Sequence, residues 1–247
     1  MFNSFNIKRF LIIYLAILLA WGAFSFGPPA GGDYFWKGIL VAALYVAFDL
    51  LWTYSRDRVW YLPESSIISG LILALVGAPS PDFALLVLMP AVAVFSKQLL
   101  WFGLGKHIFN PAAFSLVALS LAGYPAVSWW GVSWGAPATY AVLAAGLLIL
   151  WRQRRWETAL PFLFIYALLF GVRLLDGTTL FFATVMLIEP LTSNFKGIQN
   201  QLFYAGIAVL GTFFLGKTGW AIDPLLGGLL IANIVTSLLT IKIIKKQ

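Results

Sequence analysis

The chain has 247 residues, of which 61% are apolar and 10% charged, with 16 Lys and Arg against 9 Asp and Glu. A soluble domain carries about 25% charged residues, so this chain cannot clothe a globular surface. A soluble enzyme, a disordered protein and a singly anchored peripheral protein are excluded. The mean hydropathy is +0.91, and apolar residues run from end to end.

Breaks at Gly, Pro and charged clusters divide the chain into ten apolar segments, at roughly 10–27, 34–54, 66–78, 83–99, 110–123, 137–151, 158–172, 178–191, 199–215 and 224–241. The first follows Lys8 and Arg9 like the core of a signal peptide. It is long for one and no small-residue cleavage site follows, so it reads as an uncleaved span. If odd spans cross one way and even spans return, loops on the N-terminal side hold 13 of the 16 basic residues. The other side holds Lys37, Arg173 and Lys217. By the positive-inside rule both termini are cytoplasmic and the chain sits in the cell (inner) membrane. The positive charge reports orientation and lipid contact, Arg152 to Arg155 included, rather than nucleic acid.

The third segment of each half is short and ends in proline, at Pro79 and at Pro190. About a dozen helical residues fall short of a ~30 Å hydrocarbon core. The fifth segment of each half opens on a cap followed by proline, Asn110-Pro111 and Asp223-Pro224. With five spans per half, the halves are inverted relative to each other. The predicted fold is thus an all-α integral membrane domain of about ten transmembrane helices. It is built as two inverted five-helix repeats, about 8–123 and 137–243, with short broken third helices. Paired broken helices of this kind point to a site near the membrane midplane.

The chain has no cysteine and one histidine, His107. Iron–sulfur clusters and a bis-histidine haem are excluded within one chain, and no glycine-rich nucleotide or phosphate loop is present. Two acids fall inside spans, Asp49 and Glu189, and intramembrane acids are candidates for an ion pathway. Asp49 is expected near an interface, paired with Arg56 or Arg58. Glu189, before Pro190, is expected to contact an ion or proton together with freed backbone carbonyls, or to pair with Lys196. His107 reads as a polar contact beside a helix start. Lys97 and Lys106 read as orientation charges. Trp129, Trp130 and Trp134 read as an interfacial aromatic belt.

The stretch from Lys97 to Phe114, with Gly103-Leu-Gly105 and Phe109-Asn-Pro-Ala112, resembles the NqrB/RnfD family. These are membrane subunits of the sodium-pumping NADH:quinone oxidoreductase and of the Rnf complex. Ser69 to Leu75, Phe182 to Ser193 and Leu230 to Val235 resemble further family segments in order, so the resemblance spans roughly residues 60–240. It implies ten helices in two inverted repeats, other subunits as partners, and a flavin cofactor, FMN or riboflavin. Family members carry FMN on the threonine of a Ser-Gly-Ala-Thr motif. Here Thr139 stands at the matching edge, but Pro137-Ala138 precede it, so Thr139 is expected to be unmodified while a flavin binds non-covalently between the repeats. Lys97 and Asn110 are the other candidate cofactor contacts, Lys97 through the phosphate or ring carbonyls. The resulting reading is a membrane subunit that passes electrons through flavin, coupled to Na⁺ or H⁺ movement. The alternatives are a small-solute or flavin transporter on the same fold without redox chemistry, and a scaffold subunit that has lost its cofactor.

Overall fold

The computed structural model describes residues 7–61, 63–79, 82–102, 106–172, 175–189 and 197–244. Among them are ten α-helices: α1 (Ile7–Ser25), α2 (Ala30–Asp57), α3 (Glu64–Val76), α4 (Phe83–Leu99), α5 (Pro111–Leu121), α6 (Ala136–Gln153), α7 (Trp156–Phe170), α8 (Gly177–Phe181), α9 (Ile198–Thr218) and α10 (Pro224–Ile244). A two-residue ribbon, β1 (Trp101–Phe102) and β2 (Lys106–His107), links α4 to α5. Among the described residues a helix lies in each of the ten segments read from the sequence, though α8 covers only the start of its segment. Three of them, α1, α2 and α9, are long and apolar enough to cross a membrane.

Helix α1 shows why lipid is the solvent. Leu15, Leu18, Leu19 and Ala23 are buried, yet the opposite face presents Ile13, Ile17, Trp21 and Phe24. A helix apolar all round belongs in a membrane. The chain is an integral membrane protein.

The short helices α3, α5 and α8 lie deepest. Every residue of α3 from Ser69 to Val76 is buried. It packs on α1, α2 and α5, while α5 packs on α3, α4 and α10. In the other half α6 packs on α8, α7 on α9, and α9 on α10. The last pair meets through small residues: a Cβ on Gly228 would lie 2.5 Å from the Ala208 carbonyl oxygen, and one on Gly211 3.0 Å from the Gly228 Cα. Small residues let helix backbones approach where lipid gives no hydrophobic drive.

Helix α3 stops after 13 residues, and its last carbonyls are taken up by the segment after α5. Gly131 N–H donates to Leu75 O at 3.0 Å, and Ser128 and Trp129 N–H donate to Val76 O at 2.9 and 3.1 Å. The Trp130 indole donates to Ala74 O at 2.8 Å and the Ser128 hydroxyl to Gly77 O at 3.0 Å. Ala78 N–H in turn donates to Ala126 O at 2.9 Å. A helix can end inside a membrane protein only where such partners exist.

Helix α8 is broken differently. After five residues it passes into a π-helical turn, Phe182–Met186, where Leu187 N–H reaches Phe182 O at 2.8 Å. Thr184 lies in that turn, its hydroxyl donating to Leu180 O at 2.7 Å. Gly146 of α6 makes room for it, since a Cβ there would lie 2.8 Å from the Thr184 hydroxyl. The π turn ends at Met186, three residues before Glu189, and Pro190 lies outside the described residues.

Candidate functional site

Asp49 lies on α2 about two turns before its end and is completely buried, at 0% exposure. Its partner is neither Arg56 nor Arg58, contrary to the expectation from sequence. The Lys97 ammonium, at the end of α4 and 8% exposed, lies 2.8 Å from Oδ2. The Gln98 amide donates to Oδ1 at 2.7 Å, and the Ser66 and Tyr61 hydroxyls donate to Oδ2. Lys97 also donates to the Ser66 hydroxyl at 3.0 Å and sits over the Tyr45 ring, 5.9 Å from its centroid. A carboxylate removed from water needs this: several kcal/mol per ion are recovered only by pairing and full hydrogen bonding. Arg56 turns instead to Asp57, at 2.8 Å, and to the Gln98 side-chain oxygen Oε1, at 3.0 Å. Arg58 lies over the Tyr54 ring.

Lys97 is therefore not an orientation charge in a loop. It lies within the span read from the sequence, which ran to residue 99, and the same test that singled out Asp49 and Glu189 applied to it. Tyr45, Tyr61, Ser66 and Gln98 escaped the sequence reading altogether, because neutral polar residues in apolar runs carry no signal of their own.

An open cleft of about 610 Å³ borders this cluster, lined by Arg56, Asp57, Tyr61, Lys97, Gln98 and His107 among others. His107, on β2, faces it, and burial together with the nearby Lys97 charge pushes its imidazole below the ordinary value. It is a neutral wall of the cleft at neutral pH. The Lys106 side chain lies outside the described residues.

A second polar contact joins the two halves. Asn110 caps α5 as its sequence predicts, its Oδ1 accepting from Ala113 N–H at 3.0 Å. Its Nδ2 donates to Glu189 Oε2 at 2.9 Å. Lys196, the expected partner of Glu189, lies outside the described residues. Tyr45, fully buried on α2, interacts electrostatically with both Asp49 and Glu189.

At the opposite end of these helices Asp223 caps α10, accepting from Leu226 N–H at 3.0 Å. Its second oxygen accepts from the Trp129 indole at 2.8 Å. Burial pushes this carboxyl above its ordinary range, against the lowering effect of those donors. The aromatic-belt expectation is corrected here. Trp129 and Trp130 are 6% and 4% exposed, and their N–H groups bind Asp223 and the end of α3 rather than headgroups. Trp134 donates to Gly131 O at 3.1 Å.

Thr139 stands in the first turn of α6, apart from both clusters. Its hydroxyl donates back to Gly135 O at 3.3 Å. Asp49 and Lys97 are thus brought together, as are Asn110 and Glu189, while Thr139 joins neither pair.

No family model matches the chain. Over 120 residues, 47% of this chain, it is 31% identical to the D subunit of the ion-translocating oxidoreductase complex of Stutzerimonas stutzeri. Over 87 residues, 35% of this chain, it is 30% identical to the same subunit from Shewanella amazonensis. The matched stretches span 33% and 24% of those relatives, a third of their length or less.

Proposed function

We propose that the chain is a membrane subunit of an electron-transport complex of the ion-translocating oxidoreductase kind, assembled with other subunits. The partial identity to the D subunits of two such complexes carries this reading. With no cysteine and a single histidine, the electron carrier on this chain is a flavin, FMN or riboflavin, which takes up and passes on electrons. The residues fit a non-covalent flavin better than a covalent one. The cleft beside Lys97, which is lined by the first half alone rather than lying between the repeats as expected from sequence, has the size of a cofactor pocket, with Arg56 as a donor for ring carbonyls. Thr139 fits poorly as an attachment point, because its hydroxyl is turned into the helix and Pro137 sits in the same turn.

Two inverted five-helix repeats suit this role, and the packing supports them. The pairings α1 with α3, α2 with α4 and α4 with α5 recur as α6 with α8, α7 with α9 and α9 with α10. The contacts between the halves, α5 with α10 and α1 with α6, join equivalent helices. The caps follow the same rule. Asn110 of the first half meets the broken end of α8, and Asp223 of the second meets the loop that closes α3. Asp49 and Glu189 would then flank the path of the coupled Na⁺ or H⁺.

The Thr139 geometry also favours a second reading, a transporter of a small solute or of flavin itself, with no electron transfer. Purification from the native membrane separates the two. Flavin absorbance that is released by acid, on a chain of unmodified mass, is the expected result. A chain without flavin would leave the transport reading. A mass increased by one FMN less water, and lost in Thr139→Ala, would overturn the non-covalent assignment.

A further inference from the structure

We propose that the Lys97 ammonium occupies a binding site for a monovalent metal cation, as a tethered occupant that the ion displaces. The inference deepens the ion-path reading of Asp49 given above; it is argued from the geometry around Asp49 and needs no flavin. The ammonium offers three donors and no acceptor, and it meets the groups a hard cation would take: Asp49 Oδ2 at 2.8 Å, the Ser66 oxygen at 3.0 Å and the face of the Tyr45 ring. Hard cations prefer oxygen ligands, and hydroxyls can turn a lone pair toward an ion as readily as they donate to a carboxylate. The site holds a single negative charge, which matches one monovalent ion rather than a divalent one.

Two further features make the site a binding pocket rather than a locked ion pair. Gln98 holds the other carboxylate oxygen, Oδ1, at 2.7 Å, so the carboxylate keeps its orientation when the ammonium leaves. Lys97 also borders the open cleft, which gives its flexible four-carbon stem a wet side to swing into and gives the ion a way in. The exchange trades one cation for another on a fixed carboxylate, and no bond is made or broken.

The test uses the purified chain in detergent, with Tm measured in NaCl, KCl and choline chloride at equal ionic strength. Lys97→Met keeps the length of the stem and removes the charge. Its Tm should fall in choline and recover saturably in Na⁺ or K⁺, by more than the wild type moves, and the responding salt identifies the ion. The recovery should vanish when Asp49→Asn is added. A folded Lys97→Met with the same Tm in all three salts, or a recovery that survives Asp49→Asn, overturns the proposal. Reductive methylation of wild-type Lys97, followed by peptide mass spectrometry, decides the matter where the variant does not fold. Labelling should run faster in the responding salt than in choline, because the ion drives the amine into the cleft. Equal rates in all three salts overturn the proposal. Neither measurement involves a flavin, so its failure leaves the electron-transfer reading where it stood.

Discussion

Asn110 does two jobs with one amide, and substitutions can separate them. Its oxygen caps α5 and its nitrogen holds Glu189. From the cap alone, Asn110→Asp should be harmless, since Asp is an equally good cap. With Glu189 2.9 Å away, that change sets two carboxylates side by side and is now expected to destabilise. Asn110→Ser keeps a capping oxygen and adds no charge, so it should be the mildest of the three changes. Asn110→Leu loses both contacts, about 1 kcal/mol for the cap and more for Glu189. Unfolding in detergent should rank Ser above Asp and Leu. A Leu variant as stable as the Ser variant would remove the argument. The cap was legible because Asn-Pro is a local signal. The partner 79 residues away was not, because a single sequence carries no record of which distant groups meet. Lys97 failed differently: its position inside a span was visible, but a lysine near a helix end also satisfies the positive-inside rule, and that reading hid the ion pair.

At the scale of elements, the closure of α3 by residues 126–131 makes the sharpest demand on sequence. A Cβ on Gly131 would lie 2.2 Å from the Leu75 Cδ2 and 3.0 Å from its Cα. The methyl group can turn aside but the backbone cannot. Gly131→Ala should therefore destabilise by roughly 1–3 kcal/mol, the usual cost of overpacking. Gly206→Ala, with nothing within 4 Å of the added atom, is the control and should be close to neutral. Trp130→Phe keeps an aromatic side chain, though a smaller one, and strands the Ala74 carbonyl, the lost hydrogen bond alone costing about 1–3 kcal/mol. Equal midpoints for Gly131→Ala and Gly206→Ala in thermal unfolding would refute the close approach. That α3 is short was readable from Pro79. What closes it was not, because tryptophan suits both a membrane interface and a buried hydrogen bond, and composition cannot choose between them. The π turn in α8 was likewise invisible, since none of Phe182–Met186 is a residue that breaks helices and the space that Gly146 leaves for Thr184 is a contact between distant segments.

For the whole molecule, the places of the helices among the described residues followed from where the apolar runs break, because backbone groups in lipid leave few alternatives to a helix. Orientation is a separate matter, argued, once the buried Lys97 is set aside, from 12 basic residues on one side against 3 on the other. Reporter fusions after Gln153 and after Gly177 should therefore report opposite faces, the first cytoplasmic. The same face for both would mean that the chain does not cross between α6 and α8. The way α3 is closed also bears on how the protein is made. The Ser128 hydroxyl that satisfies Gly77 lies 51 residues further along the chain. When α3 leaves the ribosome, its last carbonyls have no partner yet, and α4 and α5 must be synthesised before one arrives. The first half cannot settle into lipid as a finished unit. Until the tryptophan segment emerges, α3 has to be sheltered by the insertion machinery or by water, so nascent chains that stop just short of residue 126 should remain bound to that machinery, and chains a few residues longer should be released.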